Sequence, residues 1–133
     1  MGRRWRLRVA TIAISLAGLP FLLPHVLEDF AHGIAQRVGL SPGAGAFLLG
    51  GFLALQSLGL VLVARERRGG WALTFWVGVI WLAGATLEHG PALARGGFRS
   101  GAESIAWLSG LVVTQTCAAA LAWRGWRGEG PSG

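Results

Sequence analysis

The chain contains no lysine and few acidic residues, so its charge is almost entirely arginine. Twelve basic residues against six acidic ones give a formal net charge of +6. The arginines flank apolar segments and do not form a stripe on a polar domain, as a nucleic-acid-binding surface would require. The sequence therefore argues against nucleic acid as a partner.

Cysteine is almost absent. Cys117, the single cysteine, lies within an apolar run and cannot form an internal disulfide. It also lacks the paired spacing of a zinc or redox motif, so we interpret it as a small packing residue. A P-loop, a Gly-x-Ser-x-Gly elbow and a dinucleotide fingerprint are missing too, which sets aside the enzyme classes that depend on them.

The chain does contain long apolar runs, and hydrophobic residues make up 53% of it. A water-soluble fold could not cover so much apolar surface. The pattern predicts an all-α integral membrane protein, an antiparallel bundle of four transmembrane helices in one domain over residues 1–127. Residues 128–133 are predicted to be a disordered tail. The predicted spans are about 9–24, 44–64, 71–87 and 102–123.

The first span begins like a signal peptide, because four arginines precede its apolar run. No small-residue cleavage site follows, so we expect an uncleaved signal anchor. Pro20 and Pro24 predict a bend near its end. Residues 25–38 then predict a short amphipathic helix that ends at Gly39.

Small residues repeat every four positions in two spans and predict close helix packing. Span two carries Ala46, Gly50 and Ala54, and span four carries Gly110, Thr114, Ala118 and Ala122. Gln56 and Gln115 lie near the middle of the same two spans. Each is expected to form a hydrogen bond between helices, or alternatively to contact a substrate or quinone inside the bundle.

The arginines also predict the orientation, because positive charge concentrates in cytoplasmic loops. Nine lie on the side of the N-terminus: Arg3, Arg4, Arg6, Arg8, Arg65, Arg67, Arg68, Arg124 and Arg127. Three lie on the other side: Arg37, Arg95 and Arg99. We therefore expect a multi-pass protein of the cell membrane, specifically a cell inner membrane, with both termini in the cytoplasm. Four tryptophans would form an aromatic belt on that cytoplasmic side: Trp5, Trp71, Trp123 and Trp126.

All three histidines and most acidic residues fall on the outer side. Six of them form a candidate metal site: His25, Glu28, Asp29, His32, Glu88 and His89. Four share one helical face, and two end span three at the same depth. Imidazole and carboxylate groups together suit a divalent transition metal, without choosing among zinc, iron, copper and manganese. Haem is the other cofactor that histidines of this kind could hold. Against a site, a solvated polar face accounts for the same residues.

Three functions follow from this pattern. In the first, the outer cluster binds a metal ion or haem. In the second, the chain is a non-catalytic accessory subunit that docks a membrane-protein partner or forms a homo-oligomer. In the third, a small transporter uses the cluster as a proton or ion acceptor, although no charged residue lies at mid-membrane depth. The acidic face could instead pair with Arg37, Arg95 or Arg99 of its own chain.

Overall fold

Six helices make up nearly all of the described chain. The computed structural model describes residues 2–95 and 101–128, apart from the side chain of Leu93. The helices are α1 (Arg3–Ala17), α2 (Leu19–Ala31), α3 (Ile34–Arg37), α4 (Pro42–Ala64), α5 (Arg68–Ala94) and α6 (Gly101–Gly128). No strand occurs among the described residues.

Four helical segments are long and apolar enough to cross a membrane. They are Arg3–Ala31, Pro42–Ala64, Arg68–Ala92 and Gly101–Gly128. The first combines α1 and α2, and its 29 residues span about 43 Å at ~1.5 Å per residue. This is longer than a ~30 Å hydrocarbon core, so its ends reach the level of the lipid headgroups.

The first span breaks at Gly18, before both prolines. Proline has no N–H, so Pro20 cannot donate to the carbonyl four residues earlier, and α1 ends at Ala17. Pro24 instead lies inside α2, which continues to Ala31. The helix that contains the first predicted span thus extends past Pro24.

The amphipathic helix predicted over residues 25–38 does not form as one element. Its first part completes α2, a turn follows at His32 and Gly33, and α3 has only four residues. Gly33 has a φ of 75°, a left-handed conformation that glycine adopts at little cost. The polar residues of α2 therefore lie at the end of a spanning helix and not on a surface helix.

Helix α5 extends beyond the span predicted over residues 71–87. It continues through Pro91 to Ala94. Glu88 and His89 are therefore held on a helix and not in a loop.

The loop predicted to follow includes residues 96–100, which lie outside the described part of the chain, as do residues 129–133 of the predicted tail. Gly128 still belongs to α6.

Span two begins as its sequence predicts. The Ser41 hydroxyl accepts a hydrogen bond of 3.1 Å from the backbone N–H of Ala44, and Pro42 occupies the first turn. Helix α4 ends at Ala64, and Glu66 in the turn before α5 has a φ of 60°. Gly70 then packs against the backbone around Val63, where a side chain would not fit.

Helix α6 contacts α1, α2 and α5, and α5 also contacts α4. Residue numbers rise along one helix and fall along its neighbour when pairs of contacting residues are compared. Along α4 and α5, Gly59 packs on Thr74 and Gln56 bonds Trp81. Along α5 and α6, Trp71 packs on Gly125 and Gly78 packs on Ala119.

Eight of the buried hydrophobic residues form two clusters, one toward each end of the helices. The first contains Leu22, Val26, Ala85, Leu108 and Leu111. The second contains Val63, Trp71 and Ala122, and Phe75 and Trp126 pack against it. Trp71 is thus part of the interior and not of a lipid-facing belt, because it fills the space beside Gly125.

The two small-residue stripes have different environments. On α6, Ala118 and Ala122 are buried, and Gly110 lies against the ring of Phe21. The stripe of α4 is exposed, and nothing lies within 4 Å of a Cβ placed at Gly50. The prediction that the α4 stripe packs against another helix is therefore wrong within this chain. The buried face of α4 is the one that carries Gln56 and Gly59.

Candidate metal centre

Three of the six candidate metal ligands converge. His25 and Asp29 lie one turn apart on α2, and His89 reaches them from near the end of α5. One candidate ligand atom from each residue lies within 4.8 Å of the other two. We call these three residues the His–Asp–His cluster.

Asp29 lies between the two imidazole rings. One carboxylate oxygen, Oδ2, is 3.5 Å from Nε2 of His25, and the other, Oδ1, is 3.7 Å from Nε2 of His89. The centroids of the two rings are 4.8 Å apart, and the rings are tilted by 52°. The carboxylate thus faces a ring nitrogen from each of two helices.

Burial distinguishes this cluster from an ordinary solvated helix face. His25 is only 3% exposed, and its Nδ1 atom has no hydrogen-bond partner among the described residues. Leu22 and Val26, both buried, flank His25 on the same helix. A buried polar atom without a partner is costly, and such atoms commonly mark a ligand or an ion.

The other three candidates have different partners. Glu28 accepts a hydrogen bond of 2.7 Å from the hydroxyl of Ser104 on α6. Glu88 lies 2.6 Å from the guanidinium of Arg37. His32 is exposed, and its Nδ1 lies 2.8 Å from the backbone oxygen of Glu28. These residues surround the cluster but do not belong to it.

Sequence reasoning missed Ser104 and only partly anticipated Arg37. Ser104 is 3% exposed and lies near the start of α6, next to Glu103. Its only sequence signal is a polar residue just inside an apolar run. Arg37 was one of three arginines expected to meet the acidic face, and α3 brings it to Glu88.

Two imidazoles and one carboxylate form a known type of metal-ligand set. The set occurs in catalytic zinc sites and in non-haem iron(II) sites, both of which leave coordination positions open. In a tetrahedral site with metal–nitrogen bonds of ~2.0–2.1 Å, ligand atoms are about 3.3 Å apart. The distances of 3.5 and 3.7 Å from the two oxygens of Asp29 to the two rings are close to that spacing. The three candidate ligand atoms lie within 4.8 Å of one another, so the side chains would have to move closer together around an ion.

The two glutamines inside the bundle differ in their partners. Gln56 accepts a hydrogen bond of 2.8 Å from Trp81, which joins α4 to α5. Gln115 is 3% exposed, and its Nε2 atom has no hydrogen-bond partner among the residues described. Neither residue contributes to the cluster.

No protein-family model, no curated protein and no solved structure matches this chain. Its function therefore has to be inferred from the cluster itself.

Proposed function

We propose that the chain is an antiparallel four-helix bundle of the cell membrane with both termini in the cytoplasm. The nine-to-three division of the arginines supports this orientation. The reversed order of paired positions along neighbouring helices supports the antiparallel arrangement. In this orientation, the His–Asp–His cluster lies at the outer ends of the helices.

Within this topology, we propose that the function is to bind one divalent transition-metal ion through His25, Asp29 and His89. The observation that carries the proposal is the convergence of three ligand atoms within 4.8 Å of one another on two helices. The burial of His25, which is only 3% exposed, adds a second reason, because a solvated polar face does not account for it. The neighbouring carboxylates of Glu88 and Glu28 contact Arg37 and Ser104 instead.

A single ion suits this geometry better than haem. If both histidines ligated a haem iron from opposite faces, the two metal–nitrogen bonds alone would span ~4 Å. Adding the distance from each ligating nitrogen to its ring centre would put the ring centroids well beyond the observed 4.8 Å. Zinc and iron(II) are the first ions to test, because this ligand set is typical of their sites.

The test is isothermal titration of zinc, iron(II), copper and manganese into detergent-solubilised protein freed of metal with a chelator. His89→Ala should weaken binding by more than the ~10–100-fold that follows from changes outside the coordination sphere. His25→Ala should do the same. His32→Ala is the matched control, because this histidine lies on the same stretch of chain but outside the cluster, and it should bind like wild type.

Equal binding by wild type and His89→Ala would contradict the metal site. No binding by wild type, together with no metal in the protein as purified, would contradict it as well. Ion-dependent flux in proteoliposomes would then favour a transporter. Co-purification of one stoichiometric membrane partner would favour an accessory subunit.

A further inference from the structure

A second polar feature lies at the opposite end of the helices from the His–Asp–His cluster. A cavity of about 450 Å³ opens between the start of α1, the end of α6 and the turn between α4 and α5. Four arginines line it: Arg3, Arg4, Arg8 and Arg124. We call this cavity the arginine pocket.

The arginine pocket carries an excess of positive charge. Among the residues that the structure describes, Glu66 is the one acidic residue in the lining, so four arginines against one glutamate leave these residues with a formal charge of +3. Arg8 forms an ion pair with Glu66. Arg4 donates a hydrogen bond of 3.4 Å to the backbone oxygen of Gly128 at the end of α6. The lining thus gathers guanidinium groups from two helices around one space.

The rest of the lining is apolar. The buried Trp71 and the half-buried Leu7 both contribute to it. The pocket therefore combines arginines with hydrophobic side chains at the same ends of the helices. A soluble anion would use only the arginines, whereas a phospholipid offers both a phosphate and apolar acyl chains.

We propose that the arginine pocket binds the phosphate of an anionic phospholipid headgroup. Guanidinium groups present paired N–H donors that match phosphate oxygens, and basic pockets between membrane helices are suited to such headgroups. The inference does not depend on which side of the membrane is cytoplasmic, because the pocket lies at the helix ends in either orientation. It is also independent of metal binding.

The experiment is native mass spectrometry of the full chain in a non-ionic detergent, titrated with phosphatidylglycerol, phosphatidylcholine or inorganic phosphate. Wild type should bind phosphatidylglycerol in preference to phosphatidylcholine. The double variant Arg4→Gln/Arg124→Gln should weaken that binding by about 25-fold, since each arginine near the headgroup contributes about fivefold. The control is Arg65→Gln/Arg67→Gln, which removes the same charge at the same membrane end from two residues outside the lining.

A third variant is expected to strengthen lipid binding instead of weakening it. Glu66→Gln removes the one negative charge of the lining, so phosphatidylglycerol should bind more tightly than to wild type. A purely structural role for the Arg8–Glu66 ion pair would instead lower stability without improving lipid binding. This variant also tests the proposal if the double arginine variant fails to fold.

Several results would overturn the proposal. These are equal affinity for phosphatidylglycerol and phosphatidylcholine, equal losses in the arginine variant and its control, and no gain for Glu66→Gln. Binding of inorganic phosphate as tight as that of phosphatidylglycerol would also overturn it, because the pocket would then recognise a soluble anion and not a lipid.

Discussion

The indole Nε1 of Trp81 donates a hydrogen bond of 2.8 Å to Oε1 of Gln56, and this bond joins α5 to α4. Removing either partner leaves a polar group without its partner in an apolar environment. Gln56→Leu and Trp81→Phe should each lower stability. The double variant should reveal a coupling free energy of about 0.6 kcal/mol, as is typical of hydrogen bonds between membrane helices. Reversible unfolding in mixed micelles would measure it, and a coupling of zero would mean that the bond contributes nothing.

Substitution by leucine is expected to lower stability at Gly110 but not at Gly50. A side chain at Gly110 would overlap the ring of Phe21, whereas a side chain at Gly50 would meet nothing within 4 Å. Gly110→Leu should therefore cost about 1–3 kcal/mol, the usual range for overpacking. Gly50→Leu should leave the melting temperature in detergent unchanged. A clear fall for Gly50→Leu would indicate that its stripe packs against another chain.

The sequence predicted four long apolar helices because their signal is local. Long apolar runs and the Ser41–Pro42 start are visible within a few residues, and the structure has helices at those places. Helix ends were less predictable. The third predicted span ended near residue 87, but α5 continues through Pro91 to Ala94, and α1 ends at Ala17, three residues before Pro20.

The sequence identified the candidate ligand residues, but it could not show which of them come together in space. The 100° periodicity placed four polar side chains of the α2 region on one face, but it could not show which of them meet α5. That choice depends on long-range partners, such as Ser104 for Glu28 and Arg37 for Glu88. The same limit explains the two small-residue stripes, because spacing alone does not show which face of a helix is covered.

The orientation can be tested by labelling single cysteines from outside intact cells, after replacing the exposed Cys117 with Ala. Val38→Cys lies beyond α3, and its native side chain is 64% exposed. Gly69→Cys lies at the start of α5, on the arginine-rich side. We expect a membrane-impermeant maleimide to label position 38 and not position 69, because positive charge stays in the cytoplasm. The reverse pattern would place the His–Asp–His cluster on the cytoplasmic side.

Asp29 and Glu88 offer the sharpest test of which carboxylate belongs to the metal site. Both were candidates from the sequence, and both lie near the same ends of the helices, but Asp29 faces two imidazoles whereas Glu88 faces the guanidinium of Arg37. Asp29→Asn keeps the size of the side chain and removes the charged ligand, so zinc affinity should fall by more than ~100-fold, beyond the effect of outer-shell changes.

Glu88→Gln makes the equivalent change outside the cluster. Zinc affinity should stay within about tenfold of wild type, and stability should fall by at most about 1 kcal/mol, because the Arg37–Glu88 pair is partly exposed. Titration calorimetry and melting curves on both variants would separate the two roles. If Glu88→Gln abolished binding and Asp29→Asn did not, the ion would have to lie nearer α3 than the cluster allows. If both variants bound like wild type, neither carboxylate would be a ligand, and the two imidazoles alone would have to account for any metal found.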